Sequence, residues 1–227
     1  MKGQQFNCPF IPPVQKFRQA TMEREDWNRR YAAKEFIWTV NANRFLVAEA
    51  ANLLPGRALD LAAGEGRNAV WLAERGWAVR AIDFSDVAIE KGKRLAAARQ
   101  VADKVDFQII DLRGYQPEVH HFDLVALMYL QIPRAEREPI FVRAARAVAP
   151  GGTFLLVAHD SANLMHGYGG PQHPDVLYTA EQVVNALGGE LEIEKATPVE
   201  RPVETDDGTK VAIDCLVRGK RRDSSAI

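Results

Sequence analysis

The stretch ALDLAAGEGRNAVWLAERGWAVRAIDFS, residues 58–85, decides the fold. It opens with Ala58 to Ala62, an apolar run broken only by Asp60, which is the pattern of a strand buried on both faces. Gly64 and Gly66 follow, then a helical segment from about Arg67 to Arg75, then a second strand from Trp77 to Ile82. A strand running through a glycine turn into a helix belongs to an open parallel α/β sheet. Such sheets bind ligands beyond the carboxyl ends of their strands, where glycine lets a ligand approach backbone that a Cβ would obstruct. The free N–H groups at the helix start favour a carboxylate or a phosphate.

The acids around this turn narrow the ligand. Asp83 follows the glycines by about 20 residues, the position from which a carboxylate accepts hydrogen bonds from both hydroxyls of a ribose. The spacing Gly64-x-Gly66-x-x-Ala69 also suits a dinucleotide, so the glycines do not separate NAD from other adenosine cofactors. Asp60 helps to separate them: a carboxylate inside the first strand sits badly beside a pyrophosphate and well beside an ammonium such as that of a methionine moiety. Asp111-Leu112, closing the third strand, is placed to pair with an adenine amino group and to cover the ring. A helix cap or a turn is the ordinary alternative use of such an acid, for Asp111 above all.

Strands and helices continue to alternate on either side. Ala42 to Leu54 has helical spacing ended by Pro55-Gly56, and Ser85 caps a helix running toward Arg99. Val105 to Ile110 reads as a third strand, Phe122 to Met128 as a fourth and Gly152 to Ala158 as a fifth. Ile140, Phe141, Ala144, Ala145 and Val148 mark one face of a helix between the last two. Thr179 and Gln182 have the spacing of a capping box ahead of the apolar stripe Ala180, Val183, Val184 and Leu187. Leu191 to Thr197 and Val211 to Arg218 then form a closing hairpin, joined through a Pro-rich, acidic stretch with Asp206-Asp207-Gly208. This order predicts a parallel sheet covered by helices on both faces. Residues 1–21, with Pro9, Pro12 and Pro13, lack periodicity and read as a disordered arm; 22–219 read as one domain and 220–227 as a polar tail.

Bulk composition excludes several function classes. The chain has 227 residues, 47% hydrophobic, enough for one domain with a sizeable core. A net charge of −1 removes the basic footprint of a nucleic-acid binder and leaves Lys220-Arg221-Arg222 as a solvated run. Cys8 and Cys215 are too few for a disulfide framework, and no apolar stretch approaches the ~18 residues of a membrane helix. The expectation is a soluble cytoplasmic protein, monomer or homodimer, with neither nucleic acid nor membrane as partner.

In this order the acid-bearing strand, the glycine turn, Asp83 and Asp111-Leu112 resemble the class I S-adenosylmethionine-dependent methyltransferases, and the GEGRNA turn is similar to the tellurite-resistance and thiopurine-type small-molecule enzymes. The resemblance implies a three-layer, Rossmann-like α/β sandwich whose seven-stranded sheet is mostly parallel with an antiparallel last strand. It also implies S-adenosylmethionine as cofactor, S-adenosylhomocysteine as product and a small-molecule methyl acceptor. Ala62 and Ala63 depart from the family, which commonly has Gly followed by a small residue or Cys; alanine preserves most of the close approach. By position Asp60 takes the methionine amine, Ala62, Gly64 and Gly66 line the methionine, Asp83 holds the ribose, Phe84 lies beside the adenine, and Asp111 with Leu112 closes that pocket.

Catalytic residues are harder to read, because methyl transfer from a sulfonium needs positioning and exclusion of water more than a base. The fourth strand ends in Met128-Tyr129-Leu130-Gln131-Ile132-Pro133, without the Asn/Asp-Pro-Pro-Tyr signature of enzymes that methylate nucleic-acid or protein nitrogens. Met128 joins the cofactor set, and Tyr129 is a candidate pocket wall and catalytic group. His159, at the end of the fifth strand, is the candidate base or orienting group, its alternative being a structural histidine. The following loop, rich in Gly, His and Tyr, supplies Tyr168 as a substrate contact. His159, His166 and His173 recur at intervals of seven, but Gly167, Gly169, Gly170 and Pro171 prevent the helix that would align them, so no metal is expected. Ahead of the first strand, Tyr31 is assigned to the substrate, Trp38 to the pocket wall and Arg44 to the methionine carboxylate. The alternatives from other classes are an NAD(P)-dependent oxidoreductase, against which Asp60 and the missing Tyr-x-x-x-Lys pair stand, and a non-catalytic module that binds the same cofactor.

Overall fold

Asp60 sits one residue before the end of β1 (Arg57–Leu61), a strand buried from Ala58 onward and paired in parallel with β2 (Ala78–Asp83) and β4 (Phe122–Met128). The structure, a computed structural model, describes residues 22–223. β3 (Val105–Ile109) extends the sheet beyond β2, and β5 (Val148–His159), β6 (Glu192–Thr205) and β7 (Gly208–Lys220) complete it. The order is β3-β2-β1-β4-β5-β7-β6. Pairing is parallel from β3 through β5, and β7 alone runs against the others, inserted between β5 and β6. The predicted architecture, mostly parallel with an antiparallel last strand, is the one observed.

Two-residue alternation along the strands divides the core between two faces. Leu59 and Leu61 point to the face covered by α5 (Arg134–Ala147) and α7 (Ala180–Leu187), where Phe141, Tyr178 and Val183 pack. Ala58, Leu124 and Leu216 point to the face covered by α2 (Arg44–Ala50), α3 (Arg67–Glu74) and α4 (Asp86–Ala98). Leu46 and Leu72 lie fully buried there, each contributing about 1.5–3 kcal/mol relative to exposure. Helix signals read from the sequence are made. Ala88 N–H donates to Ser85 Oγ at 3.1 Å, and the Thr179/Gln182 capping box closes in both directions.

The structure departs from the sequence reading in four places. A helix the periodicity did not reveal, α1 (Arg24–Ala32), leads the described residues, with Glu23 N–H donating to Asp26 Oδ2. The closing hairpin is much longer than Leu191–Thr197 with Val211–Arg218: β6 and β7 stay paired to Thr205 and Gly208. β6 tolerates Pro198 and Pro202 because it is the edge strand, where a missing N–H removes no ladder bond. β5 begins at Val148 rather than Gly152, through a register shift between Phe122 and Leu124 on β4. Finally, Lys220 ends β7, and Arg221, expected in a solvated tail, donates to the carbonyls of Val148 and Ala145. The arm at 1–21 and residues 224–227 of the tail lie outside the described residues.

Candidate functional site

At the carboxyl edge, β1 gives way to a turn in left-handed backbone: Ala62 has φ 58°, Gly64 55° and Gly66 75°. A side chain on Gly66 would meet Phe107 at 2.8 Å and the Gly92 backbone at 3.0 Å, so glycine here lets α3 and α4 close on the turn. Asp83 holds the turn from the next strand, accepting from Gly64 N–H and from Ser85 N–H, each at 2.9 Å. Burial pushes the Asp83 carboxyl up to about 6 despite the backbone N–H groups of Ser85, Gly64 and Phe84.

Asp60 has no such support. It is fully buried, and neither carboxylate oxygen has a hydrogen-bond partner. Burial, with the charge of Asp83 behind it, raises the carboxyl to about 7; Arg67 and the Ala69 amide offset only part of this. Buried polar groups are ordinarily satisfied, so an orphaned carboxylate at a strand end beside a glycine turn marks a place for a cationic group.

A strap from the amino-terminal side is clipped to this turn. Glu65, between the two glycines, accepts from the backbone N–H groups of Ile37 and Trp38 and pairs with Lys91 at 3.1 Å. Lys91, itself buried, also donates to the carbonyls of Tyr31 and Lys34. Tyr31 is buried with its hydroxyl 2.9 Å from where a Cβ on Gly64 would stand; its hydroxyl is raised far above the usual range by burial, then by the charges of Asp83 and Glu65. That places Tyr31, which the sequence reading assigned to the substrate, against the glycine turn. Trp38 is exposed beneath the Arg30 guanidinium, and Arg44 is exposed above the Phe45 ring. The cation whose charge acts on Asp60 is Arg67, at the start of α3.

Of the adenine-side candidates, Phe84 is half-buried next to Asp83 and belongs to neither core cluster. Asp111 is held by Arg113 through both of its oxygens at 2.7–3.1 Å; burial would raise it, and that partner lowers it. Leu112 is spent on the core with Leu61 and Ile140 rather than presented to a ring, because the chain turns inward after Asp111. Met128 is buried on the α3 face.

On the other side of Asp60 four groups converge on that same face. Tyr129 has φ 59°, an uncommon conformation for an aromatic residue, with its N–H donating to Val157. Its hydroxyl donates to Asp214 Oδ2 at 2.8 Å, and its ring centroid is 4.9 Å from that of His159. His159 Nδ1 is 3.0 Å from Asp214 Oδ1, and Arg201 Nε donates to Asp214 Oδ2 at 2.8 Å. Arg67 joins the two sides: burial lowers its pKa, while Tyr129 and Asp60 favour its charge and Arg201 opposes it. α2 and α3 also leave a cleft of about 190 Å³, lined by Val40, Val47, Arg67, Val70 and Trp71, so Arg67 borders both.

The sequence reading named Tyr129 and His159 but missed Asp214, Arg201, Arg67, Glu65 and Lys91. For Asp214 a signal existed: it is an acid inside an apolar strand, as Asp60 is. The loop after β5 is anchored by Asn163, which accepts from Ile213 N–H and donates to Gly169. It places Gly170 against the His159 ring, while Tyr168 and His166 are exposed. Among the described residues no three metal-capable side chains converge.

Comparison with known proteins agrees with the geometry at the glycine turn. Residues 58–152 match a family model described as a methyltransferase domain. The match covers less than half of the chain and takes in β1, the glycine turn and Asp83. The chain is 30% identical over 121 residues to 2-heptyl-1-hydroxyquinolin-4(1H)-one methyltransferase of Mycobacteroides abscessus, covering 52% of each chain. It is 30% identical over 112 residues to the chloroplastic tocopherol O-methyltransferase of Arabidopsis thaliana, covering 49% of this chain and 32% of the relative. The match thus spans about half the length of the first relative and a third of the second. Among solved structures, TehB from Haemophilus influenzae superposes with a TM-score of 0.67 at 15% identity, over 88% of this chain and 67% of that one, a likeness of fold. The cofactor of the family, S-adenosylmethionine, fits the residues present: the orphaned Asp60 carboxylate suits its ammonium, and the Asp83 oxygens retain lone pairs for ribose hydroxyls.

Proposed function

We propose that the protein methylates a small organic molecule, using S-adenosylmethionine bound across the tips of β1 and β2. The observation that carries this reading is Asp60, a fully buried carboxylate without a partner, one residue from the left-handed turn that Asp83 braces. Asp60 takes the methionine ammonium; the backbone around Gly64 and Gly66 and the start of α3 take its carboxylate, with Arg67 rather than Arg44 as the nearby cation. Asp83 takes the ribose hydroxyls, Phe84 borders the adenine, and Tyr31 and Trp38 cover the cofactor from the strap. Bound S-adenosylmethionine supplies a methyl group on a sulfonium, given up by in-line displacement. The chain's own work is to orient the acceptor opposite that group and to keep water out.

The acceptor side lies around Tyr129 and His159, with Tyr168 on its rim. A net charge of −1 gives no support for a nucleic-acid acceptor. The two curated relatives carry names of small aromatic acceptors, one of them for O-methylation, and this chain's acceptor is taken to belong to that broad class. Calorimetry with S-adenosylmethionine, S-adenosylhomocysteine and NAD(H), followed by a turnover screen of phenols, thiols and heterocyclic amines, tests the reading. Binding of the first two and methylation of a screened compound support it; binding of NAD(H) alone overturns it.

A further inference from the structure

Asp214 is the least expected member of the acceptor cluster, because it comes from β7, about 150 residues beyond Asp60, and no motif contains it. The sheet register brings it in. His159 and Asp214 are paired residues of β5 and β7, and Asp214 is paired in turn with Val199 of β6, two residues before Arg201. Alternation turns His159, Asp214 and Arg201 to one face, the face of Asp60 and Met128. Asp214 is fully buried, and three groups bear on it: Tyr129 and Arg201 at Oδ2, His159 at Oδ1. His159 Nδ1 and Asp214 Oδ1 are both shielded from solvent, neither makes a well-aligned hydrogen bond to any described residue, and they stand 3.0 Å apart, so the group each faces is the other. Burial would raise Asp214, but His159, Arg201 and Tyr129 outweigh it and keep the group an anion.

From this geometry we infer that Asp214 is a positioning residue that holds His159 with its proton on Nδ1 and Nε2 free as a base, which makes the site one for weakly acidic hydroxyl acceptors rather than for thiolates or oxyanions. The inference rests on the proposed methyltransferase reading and deepens it. As the acceptor oxygen forms its bond to the methyl carbon, the carbon–sulfur bond breaks with its electron pair remaining on sulfur as a thioether. The acceptor's O–H proton passes to His159 Nε2, and the imidazolium so formed is balanced by Asp214 until it returns the proton to solvent. An acceptor already ionised has no proton to give and gains nothing from the pair. Among the described residues the charged and titratable groups around the ring are Asp214 from β7, Tyr129 from the end of β4, Arg201 from β6 through Asp214, and Arg67 from α3 through Tyr129. Asp160, next in the chain, turns away to accept from Ala162 N–H.

The test begins on the protein without substrate. Long-range ¹H–¹⁵N spectra at pH 8 show wild-type His159 as the Nδ1–H tautomer, and Asp214→Asn shifts it toward the commoner Nε2–H form; a wild-type Nε2–H tautomer overturns the inference. Turnover is then compared between hydroxyquinolines and catechols on one hand and electron-poor thiophenols, ionised at assay pH, on the other. Asp214→Asn and the less buried His159→Asn are expected to bind S-adenosylmethionine within about twofold of wild type. Both should lose about 10²–10⁴-fold in kcat/KM for the hydroxyl acceptors, together with the rising limb of the pH profile. The wild type should prefer the hydroxyl acceptors. Methylation of ionised thiols but of no hydroxyl, or full hydroxyl activity in His159→Asn, refutes this inference while leaving the proposed function intact. Failure to bind S-adenosylmethionine refutes the proposed function itself.

Discussion

The Oδ2 of Asp83 and the backbone N–H of Gly64 are hydrogen-bonded at 2.9 Å, so the acid that ends β2 and the glycine turn that ends β1 fix one another before any ligand arrives. Asp83→Ala removes that brace together with two acceptor oxygens for the ribose. We expect cofactor affinity to fall about 10- to 100-fold by calorimetry, the loss of one hydrogen bond to a charged group. Unchanged affinity would exclude the ribose role.

Asp60 predicts a proton release. Its carboxyl is raised to about 7 in the free protein, and a bound ammonium favours the charged form, so binding at pH 6 must expel a proton and binding at pH 9 must not. Affinity therefore rises with pH between 5 and 7. For stability the sign is opposite. The folded pKa exceeds the unfolded one, so the carboxyl costs nothing below about pH 4 and increasingly destabilises the free protein as pH climbs toward 7. Asp60→Asn should flatten that slope and abolish the proton release, measured by calorimetry in buffers of different ionisation enthalpy.

Gly66→Ala places a side chain in left-handed backbone and against Phe107 and Gly92. Strain and overpacking together cost roughly 2–5 kcal/mol, read as a lowered denaturant midpoint. A midpoint equal to wild type would show that α3 and α4 yield more easily than their packing suggests.

Lys91→Met leaves Glu65 buried without its cation, a loss of about 3–5 kcal/mol where one partner of a buried pair is removed. Because Lys91 also holds the Tyr31 and Lys34 carbonyls, limited proteolysis should open the chain between 31 and 38 first. Protection equal to wild type would show that the backbone bonds of Ile37 and Trp38 to Glu65 suffice to hold the strap.

Much of this was legible before folding was considered. Asp60, Gly64, Gly66 and Asp83 lie within one βαβ unit, where strand, turn and helix follow from near-neighbour preferences and ligand contacts come from strand ends a fixed distance apart. Leu112 packs in the core with Leu61 and Ile140, and nothing local says whether the residue after Asp111 faces the crevice or the core; packing under α5 decides it. β6 was cut short because two prolines look like a loop until the strand is known to lie at an edge. Arg221 looked like a free tail because its acceptors, Ala145 and Val148, lie far back in the chain.

By itself the sequence determined the alternation of strands and helices, the glycine turn and the adenosine-type pocket, since each depends on dihedral preferences and periodicity among residues close in the chain. Only the tertiary structure decided that Tyr129, His159, Arg201 and Asp214 meet, and that Glu65 and Lys91 clip a strap over the turn. Tyr129 and Asp214 are 85 residues apart, and their meeting depends on which strand lies beside β5 and in what register. A one-residue slip would turn Asp214 to the opposite face, and no local pattern records that choice.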